Sequence, residues 1–394
     1  MKTYILTGGT GYLGSALAKR LLEQGNRIIF VGRGKENISF EERIYKEIEN
    51  NEKNQFLKLV VAVEVDITDS NIIERKEFSE YKNKVDGLLH LAANLSFKKK
   101  DKENIFKTNI EGTKNMLKLS KFLGCNFYYV STAYIHGKKP GICYEEKLKD
   151  DGRKFNNYYE ESKFISEKEI YKWSKKNGKK FVIFRPSILV GGDFISTKFF
   201  GYYSVLHSFF KLKKVLEEIN NRNIFLLNSI FRSKNGKLRI PIPWLVSRKS
   251  TLNLVYLDSV INVIDEVLKK KKNNGKIFHI TNPVPPSMKT VMKESLSAMN
   301  MNMPILEINS FFVNIFMILI SQFLSFFSFT KSLSKILNTY RYYMTKSNEY
   351  DLSNLKMVMG NKMNKIISVH KKENFVYELA KDFIIKLEEF KNKK

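Results

Sequence analysis

Two side-chain types that often carry chemistry are scarce in this sequence. Its 394 residues include two cysteines and five histidines. Cys125 and Cys143 belong to no CxxC motif and no Cys/His cluster, so we expect neither a disulfide framework nor a metal site. A thiolate nucleophile is equally unexpected, because neither cysteine lies beside residues that would activate it.

Acidic residues are also few. The sequence has 40 Asp and Glu against 68 Lys and Arg, a formal net charge of +28. Such a charge attracts polyanions, which include nucleic acid, anionic lipid, coenzyme A phosphates and acidic carrier proteins. The excess is spread along the chain, however, and no aromatic-basic signature of a nucleic-acid module accompanies it. We therefore expect the cations to solvate the surface, and we expect no nucleic-acid partner.

A signal peptide is not expected either, because the first predicted strand begins at Lys2 and no charged and apolar leader precedes it. We therefore expect a cytoplasmic protein. One uncharged run of 19 residues, 311–329, leaves membrane association open. At about 1.5 Å per residue it could nearly cross a bilayer, yet five polar residues interrupt it. Three interpretations stand side by side: a buried helix, an interfacial membrane anchor and a spanning helix.

Residues 1–185 alternate between short apolar runs and longer segments with helical spacing. Leu13, Leu17 and Leu21, for example, recur every four residues after the first strand. This alternation predicts an α/β fold with a doubly wound parallel Rossmann sheet. We assign 1–190 to an NADP-binding Rossmann domain, with a strand and a helix returning at about 253–282. We assign 191–252 and 283–394 to a smaller, mainly helical and apolar substrate-binding region.

The segment TGGTGYLG (7–14) follows the first strand and opens the first helix. Gly8 permits a tight turn, Gly11 lets the backbone approach a pyrophosphate, and Gly14 lets the helix pack close to the sheet. The helix N-terminus then offers its positive dipole to the phosphates. We therefore assign to the cofactor site Thr7, Gly8, Thr10, Gly11, Tyr12, Leu13 and Gly14.

The second strand ends in Val31-Gly32-Arg33-Gly34. An NAD site would usually place a carboxylate there for the ribose 2′-hydroxyl, whereas Arg33 suits a 2′-phosphate, so the sequence favours NADP(H). After the third strand, Asp66 is a candidate hydrogen-bond acceptor for the adenine amine, and Ile67 follows it in the cofactor site.

Tyr159 and Lys163 lie four residues apart, and hence on one face of a helix. A nearby ammonium stabilises a phenolate, so Lys163 is expected to lower the pKa of Tyr159. Thr132 ends the preceding strand. Its hydroxyl can hydrogen-bond the substrate carbonyl oxygen to which Tyr159 would donate. We predict Thr132, Tyr159 and Lys163 as a catalytic set.

Together these motifs resemble the extended short-chain dehydrogenase/reductases, and within them the branch that holds the fatty acyl-CoA reductases and thioester-reductase domains. The resemblance covers about residues 1–285. Its motifs are TGGTGYLG (7–14), VGRG (31–34), HLAA (90–93), TNIEGT (108–113), YVSTAYIHG (129–137), YYEESK (158–163), RPSILVGG (185–192) and NLVYLDSVINVI (253–264).

The resemblance implies further roles. Asn109 matches the helix asparagine that supports the catalytic lysine, and Lys163 also holds the nicotinamide ribose. The cofactor site extends to Leu91, Ala92, Ala93, Arg185, Pro186 and Ser187. The implied activity is NADPH-dependent reduction of fatty or other apolar acyl thioesters, on coenzyme A or a carrier protein, to aldehyde or alcohol. Two alternatives stay open: another extended enzyme, acting on a sterol or a nucleotide sugar, and a non-catalytic NADP-sensing regulator.

Overall fold

The computed structural model describes residues 1–49, 54–139, 141–192, 199–221 and 237–392. The chain divides into two compact units. The N-terminal unit comprises Met1–Ser187, Leu257–Thr281 and Tyr350–Gly360. The C-terminal unit comprises Ile188–Tyr256, Asn282–Glu349 and Asn361–Lys394. The segment Tyr350–Gly360 thus returns to the N-terminal unit, whereas the sequence analysis assigned it to the substrate region.

The strands and helices are as follows. The strands are β1 (Thr3–Thr7), β2 (Arg27–Gly32), β3 (Val60–Glu64), β4 (Gly87–His90), β5 (Asn126–Val130), β6 (Ile142–Cys143), β7 (Phe181–Pro186), β8 (Ile188–Val190), β9 (Leu238–Arg239), β10 (Trp244–Ser247), β11 (Leu254–Tyr256), β12 (Ile277–Ile280), β13 (Met301–Asn302), β14 (Ile305–Ile308) and β15 (Glu349–Tyr350). The helices are α1 (Tyr12–Glu23), α2 (Phe40–Glu49), α3 (Lys76–Ser79), α4 (Lys102–Phe106), α5 (Gly112–Leu123), α6 (Tyr158–Asn177), α7 (Gly201–Asn221), α8 (Leu257–Lys269), α9 (Met288–Ala298), α10 (Ser310–Ser325), α11 (Lys331–Thr345), α12 (Ser353–Met359), α13 (Met363–His370) and α14 (Phe375–Asn392).

Seven parallel strands form the main sheet of the N-terminal unit within the described residues, in the order β12-β7-β5-β4-β1-β2-β3. The strands are apolar because helices cover both faces of a sheet of this kind, and β4 and β7 are buried throughout. β1 pairs with both β2 and β4, so the chain direction across the sheet reverses there. Ligands bind at the carboxyl ends of strands at such a switch point. The predicted fold class is confirmed.

The helix and strand predicted near 253–282 are present with small shifts. The helix is α8 and the strand is β12, which adds to the edge of the main sheet beside β7. β11, which precedes α8, pairs instead with β8 in a separate two-stranded sheet. It belongs to the C-terminal unit.

Helices α7, α9, α10, α11 and α14 supply much of the apolar core of the C-terminal unit. A narrow cavity of about 40 Å³ lies within this unit. Its wall is almost entirely apolar, and four methionines line it: Met288, Met292, Met299 and Met344. Methionine side chains rearrange easily, so the cavity can adapt its shape to an apolar guest.

Helix α10 coincides with most of the uncharged run at 311–329. It buries Val313, Met317 and Ser321, while its opposite face is exposed, so it is not a buried helix. The described helices include none with the length and apolar character needed to cross a bilayer.

Candidate active site

The glycine-rich loop after β1 has a shape that only glycine permits. Gly8 has a φ of +76°, and a Cβ there would lie 2.8 Å from the Ala92 backbone nitrogen. A Cβ on Gly14 would lie 2.1 Å from the Gly8 carbonyl oxygen. The Gly11 N–H donates to that same oxygen at 2.9 Å. The loop is therefore closed tightly over the start of α1.

The N-terminus of α1 suits an anionic group. Within the described residues no side chain caps the helix at Gly11, and its first turn, which includes Tyr12 and Leu13, contains no acidic residue. The positive end of the helix dipole is therefore not neutralised by the protein itself. This loop and helix end fit the pyrophosphate of a dinucleotide.

A buried hydrogen-bond chain connects this loop to the next strand. The Thr7 hydroxyl lies 2.7 Å from His90 Nδ1, and it accepts hydrogen bonds from the backbone N–H groups of Leu91 and Ala92. His90 Nε2 lies 3.1 Å from the Thr113 hydroxyl. Thr113 in turn donates to the Asn109 carbonyl oxygen at 2.6 Å.

The donors in this chain determine the histidine tautomer. Because Thr113 uses its proton on a carbonyl, it can only accept from His90, which must carry its proton on Nε2. His90 Nδ1 then accepts from Thr7. Burial, and next the charge of Lys163, lower the pKa of His90 to about 3. His90 is therefore a neutral structural residue, and the Thr7 hydroxyl is fully used within the protein.

Two arginines, Arg33 after β2 and Arg43 on α2, lie near the carboxyl ends of the second and third strands. Arg33 forms an exposed ion pair with Asp66 at 3.1 Å. Arg43, on α2, donates to the Arg33 carbonyl at 2.6 Å and to the Thr10 hydroxyl at 2.9 Å. Burial opposes ionisation of Asp66, but hydrogen bonds from Thr68 and the charge of Arg33 outweigh it and lower the pKa of this carboxyl. The Arg43 guanidinium thus contacts the glycine loop at Thr10, and the Arg33 guanidinium lies with Asp66 after the third strand.

Ile67 and Ala93 are the two other residues predicted for this side of a cofactor site. The Ile67 side chain packs against Gly112 at the start of α5, where a Cβ would lie 2.8 Å from it. Its carbonyl accepts from the Asn115 amide at 3.0 Å. Ala93 follows β4 and is half-buried.

The Tyr159–Lys163 pair lies at the start of α6, as the spacing predicts. The Lys163 ammonium lies 6.0 Å from the centre of the Tyr159 ring and 4.5 Å from that of Tyr129. It donates to the Val130 carbonyl at 2.8 Å. The Tyr159 ring packs against Phe97, with ring centres 5.8 Å apart.

Burial changes the ionisation of both groups. It lowers the pKa of the Lys163 ammonium to about 7, although the Glu167 carboxylate opposes the change. It raises the pKa of Tyr159, and the Glu160 carboxylate raises it further. The sequence analysis expected Lys163 to lower the pKa of this phenol. The structure differs because burial of the Tyr159 phenol and the nearby Glu160 carboxylate both raise the pKa of Tyr159.

Thr132 follows β5 and caps the short helical turn Ala133–His136, where its hydroxyl accepts from the Tyr134 N–H at 3.3 Å. The neighbouring Ser131 and Tyr129 hydroxyls are buried without a partner among the described residues. The end of β5 therefore presents polar groups close to Lys163.

Asn109 lies in a π-helical turn, Lys107–Glu111, between α4 and α5. Its amide donates to the Asn94 carbonyl at 3.1 Å and to the Ser162 hydroxyl at 2.9 Å. It accepts from the Asn94 N–H at 2.7 Å. Asn109 thus ties the loop after β4 to the catalytic helix, next to Lys163. Turns of this type are frequent at functional sites.

The Arg185 side chain forms a buried ion pair within the N-terminal unit. The guanidinium is fully buried and binds both oxygens of Glu167, at 2.7 and 3.1 Å. Any contribution of Arg185 to a cofactor site is therefore through its backbone. Pro186 is buried at the end of β7, and the Ser187 hydroxyl is buried without a described partner.

Several residues of the site escaped the sequence analysis. Arg43 lies on a helix whose contact with the glycine loop has no local signal. Tyr129 was quoted only as part of a motif and was given no role. The Glu167–Arg185 pair was missed because it joins residues of a helix and a strand that are not neighbours in the sequence. His136, which had no visible partner in the sequence, contacts His279 at 3.2 Å across 143 residues. Long-range contacts of this kind depend on the sheet order and on how the helices pack against the sheet.

The two cysteines are free and buried. Burial raises the pKa of Cys125 to about 11 and that of Cys143 to about 12. Both are therefore protonated thiols at neutral pH, and neither is an activated nucleophile.

Comparison with known proteins places this site in a family. The family model described as male sterility protein, an NAD-binding family, matches residues 6–264. The chain belongs to this family. This family lies in the extended short-chain dehydrogenase/reductase class, in the branch that includes fatty acyl-CoA reductases.

Individual relatives match shorter stretches of this chain than the family model does. A candidate dihydroflavonol 4-reductase of Synechocystis is 28% identical over 190 residues, which are 48% of this chain and 49% of that protein. A candidate fatty acyl-CoA reductase of Drosophila melanogaster is 30% identical over 158 residues, 38% of this chain and 29% of that protein. The chain thus spans half or less of the length of these relatives.

A solved structure shares the fold of this family member over almost its whole length. The terminal R domain from the myxalamid PKS-NRPS biosynthetic pathway has a TM-score of 0.73 and 18% identity. The match covers 99% of this chain and 92% of that domain. Identity this low supports the fold only.

The buried Glu167–Arg185 pair gives a prediction about stability. In Glu167→Gln a buried guanidinium loses its counter-charge, so the free energy of unfolding should fall by about 3 kcal/mol. The matched control is Glu169→Gln on the same helix, which removes an ion pair between a half-buried glutamate and the exposed Lys172 and should cost less than about 1 kcal/mol. Urea denaturation measures both, and equal losses would contradict this account.

Lys163 gives a second prediction. In Lys163→Met the buried charge is removed and a carbonyl loses one hydrogen bond, so the variant should be inactive yet more stable than the parent at pH 6 by about 1 kcal/mol. The pKa of Lys163 is depressed on folding, so the parent should gain stability as the pH rises from about 7 towards the unfolded value near 10.5.

The measurement is the free energy of unfolding of both proteins at pH 6, 7 and 9. The parent's gain between pH 7 and 9 should exceed that of Lys163→Met by roughly 1 to 3 kcal/mol. Parallel pH profiles would show that Lys163 does not titrate differently in the folded protein.

Proposed function

We propose that this protein is an NADPH-dependent reductase of fatty or other apolar acyl thioesters, carried on coenzyme A or a carrier protein. The product is an aldehyde, or an alcohol after a second reduction. The observation that carries the proposal is the Tyr159–Lys163 pair at the start of α6, in the same unit as a glycine loop shaped for a dinucleotide. The family membership supports the reductive chemistry.

The cofactor would supply a hydride to the acyl carbonyl carbon. We assign to Thr132 and Tyr159 the task of donating hydrogen bonds to the carbonyl oxygen as negative charge develops on it. Tyr159 then transfers its proton to that oxygen. Lys163 stabilises the resulting phenolate, since its ammonium lies one helical turn away, and Glu167 favours the charged form of Lys163.

The thioester link breaks in the following step. Transfer of hydride and proton converts the thioester into a hemithioacetal, which collapses to an aldehyde and a free thiol. A second hydride and proton reduce the aldehyde to the alcohol. The high pKa of buried Tyr159 keeps the phenol protonated, and so ready to donate, at neutral pH.

We assign the acyl chain to the C-terminal unit. Its cavity is lined by apolar side chains, chiefly methionine, leucine and aromatic residues. Burial of a hydrocarbon chain contributes about 0.8 kcal/mol per methylene. At about 40 Å³ the cavity is smaller than such a chain, so we expect the flexible methionines to move when it binds.

We further propose that NADPH is preferred over NADH because two arginines follow the second strand: Arg43 contacts Thr10 of the glycine loop and the Arg33 backbone, and the Arg33 guanidinium is exposed beside Asp66. In Arg33→Ser/Arg43→Ser the dissociation constant for NADPH should rise about tenfold or more, while that for NADH should stay within about twofold. The control is Arg75→Ser, an arginine paired with Glu77 elsewhere in the unit. Equal losses for both cofactors would rule out a role in selectivity.

The activity itself is tested by oxidation of NADPH against a panel of acyl-CoAs, with products identified by mass spectrometry. We expect turnover that falls at least about a hundredfold in Tyr159→Phe, because the proton donor is lost. Tyr158→Phe is the matched control, since Tyr158 contacts Lys102 and Phe106 instead. It should keep most of the activity.

The outcomes separate the alternatives. Turnover of sterol-like ketones with no turnover of thioesters would assign the protein to another branch of the class. NADPH binding without any turnover, and unchanged by Tyr159→Phe, would favour a sensor and contradict the proposed reductase.

A further inference from the structure

Helix α10 and the turn that follows it carry an exposed apolar stripe in the C-terminal unit. The exposed positions recur with helical spacing and are almost all large hydrophobic residues: Phe311, Phe312, Ile315, Ile318, Leu319, Phe323 and Phe326. Phe311 is 65% exposed, Leu319 60% and Phe326 84%. We call this set the α10 stripe.

Helix α10 differs from an ordinary helix on a water-exposed surface, which turns apolar residues inward and polar residues outward. Its inner face is largely apolar, because Val313 and Met317 are buried in the core of the C-terminal unit. Ser321 adds polar contacts to α11: its carbonyl accepts from the Ser334 hydroxyl at 2.7 Å and its hydroxyl donates to the Asn338 amide oxygen at 3.1 Å. The outer face is apolar too, so α10 has hydrophobic residues on both sides.

The stripe is also long. Residues 311–326 extend over roughly 22 Å of helix at about 1.5 Å per residue. Gln322 and Ser325 are the exposed polar residues within α10 between these ends. Soluble monomers rarely expose a contiguous apolar surface of this extent unless it binds something.

The charges around the stripe specify the partner. Between Glu307 and Glu349 the sequence has no acidic residue, and it has four basic ones: Lys331, Lys335, Arg341 and Lys346. Lys331 and Lys335 are exposed in the first turns of α11, directly after Phe326. Aromatic residues flanked by lysines, without acidic residues, are typical of a helix that lies in the headgroup region of an anionic membrane.

We propose that the α10 stripe docks this protein on the surface of an anionic lipid bilayer. The helix lies in the plane of the interface, with its phenylalanines and aliphatic side chains among the acyl chains. Lys331 and Lys335 contact the lipid phosphates. This inference is independent of the proposed enzymatic function, since it rests on the exposed residues and charges of the C-terminal unit alone.

Two other occupants are less well matched to the stripe. An acidic carrier protein would be recognised chiefly through cations, but here the cations lie beyond one end of a long apolar surface. A second copy of the chain would bring its own lysines against these lysines in a symmetric contact, or leave them unused. Lipid satisfies both features at once, because it offers hydrocarbon beneath a layer of negative charge.

Flotation with lipid vesicles tests the proposal without substrate or cofactor. Vesicles contain phosphatidylcholine alone or with roughly a third of phosphatidylglycerol as the anionic lipid. We expect the full chain to float with the anionic vesicles. Leu319→Asn/Phe323→Asn should reduce the bound fraction about tenfold, since two apolar side chains leave the stripe.

The matched control is Met357→Asn/Ile385→Asn, which removes two exposed hydrophobic residues outside the stripe and should bind like the parent. Lys331→Gln/Lys335→Gln should weaken binding to anionic vesicles and leave binding to neutral ones unchanged. Thermal denaturation and NADPH binding establish that each variant is folded.

The depth of contact separates docking from other association. In Phe323→Trp the added indole fluorescence should shift to shorter wavelength with anionic vesicles and be quenched by lipids brominated on the acyl chain. Light scattering in solution gives the oligomeric state. A dimer that Leu319→Asn/Phe323→Asn converts to a monomer, with no parent protein on vesicles, would overturn the proposal. So would vesicle binding that the stripe variants leave intact.

Discussion

The site depends on a continuous line of hydrogen bonds that joins the glycine loop to the catalytic helix. It runs from Thr7 through His90 and Thr113 to Asn109, and from Asn109 to Ser162 beside Lys163. Each group in the line is buried, and each hydrogen bond has one donor and one acceptor. His90 must therefore be neutral, since it accepts from Thr7 and donates to Thr113. Because the line crosses β1, β4 and two helices, it fixes the distance between the cofactor loop and the catalytic pair.

The buried lysine is the costly element of this arrangement. Lys163 is held by one carbonyl and one aromatic face, which do not replace the hydration of an ammonium. Folding alone would favour an apolar residue here. A lysine at position 163 is explained if its positive charge is needed when the Tyr159 phenol gives up its proton. Stability and activity are then opposed at a single side chain, as is usual where a site is preorganised.

Local patterns were sufficient to predict the glycine loop between β1 and α1 and the helix that contains Tyr159 and Lys163, because each depends on residues within a few turns of one another. The predictions that concerned electrostatics were less successful. Lys163 was expected to lower the pKa of Tyr159, but burial acts on both groups and depends on the whole fold. The contact of Arg43 with the glycine loop, and the Glu167 partner of Arg185, could not be predicted because they depend on how helices pack on the sheet.

The exposure of α10 was also beyond the sequence, since an uncharged run has the same composition whether it is buried, interfacial or spanning. What distinguishes them is which face the protein covers, and α11 covers the face that contains Ser321. The two units thus contain opposite departures from the usual distribution of polarity. One buries a charge and the other exposes hydrocarbon. Each lowers the stability or solubility of the chain, and neither is needed to complete a core, so both are best explained by what the protein binds.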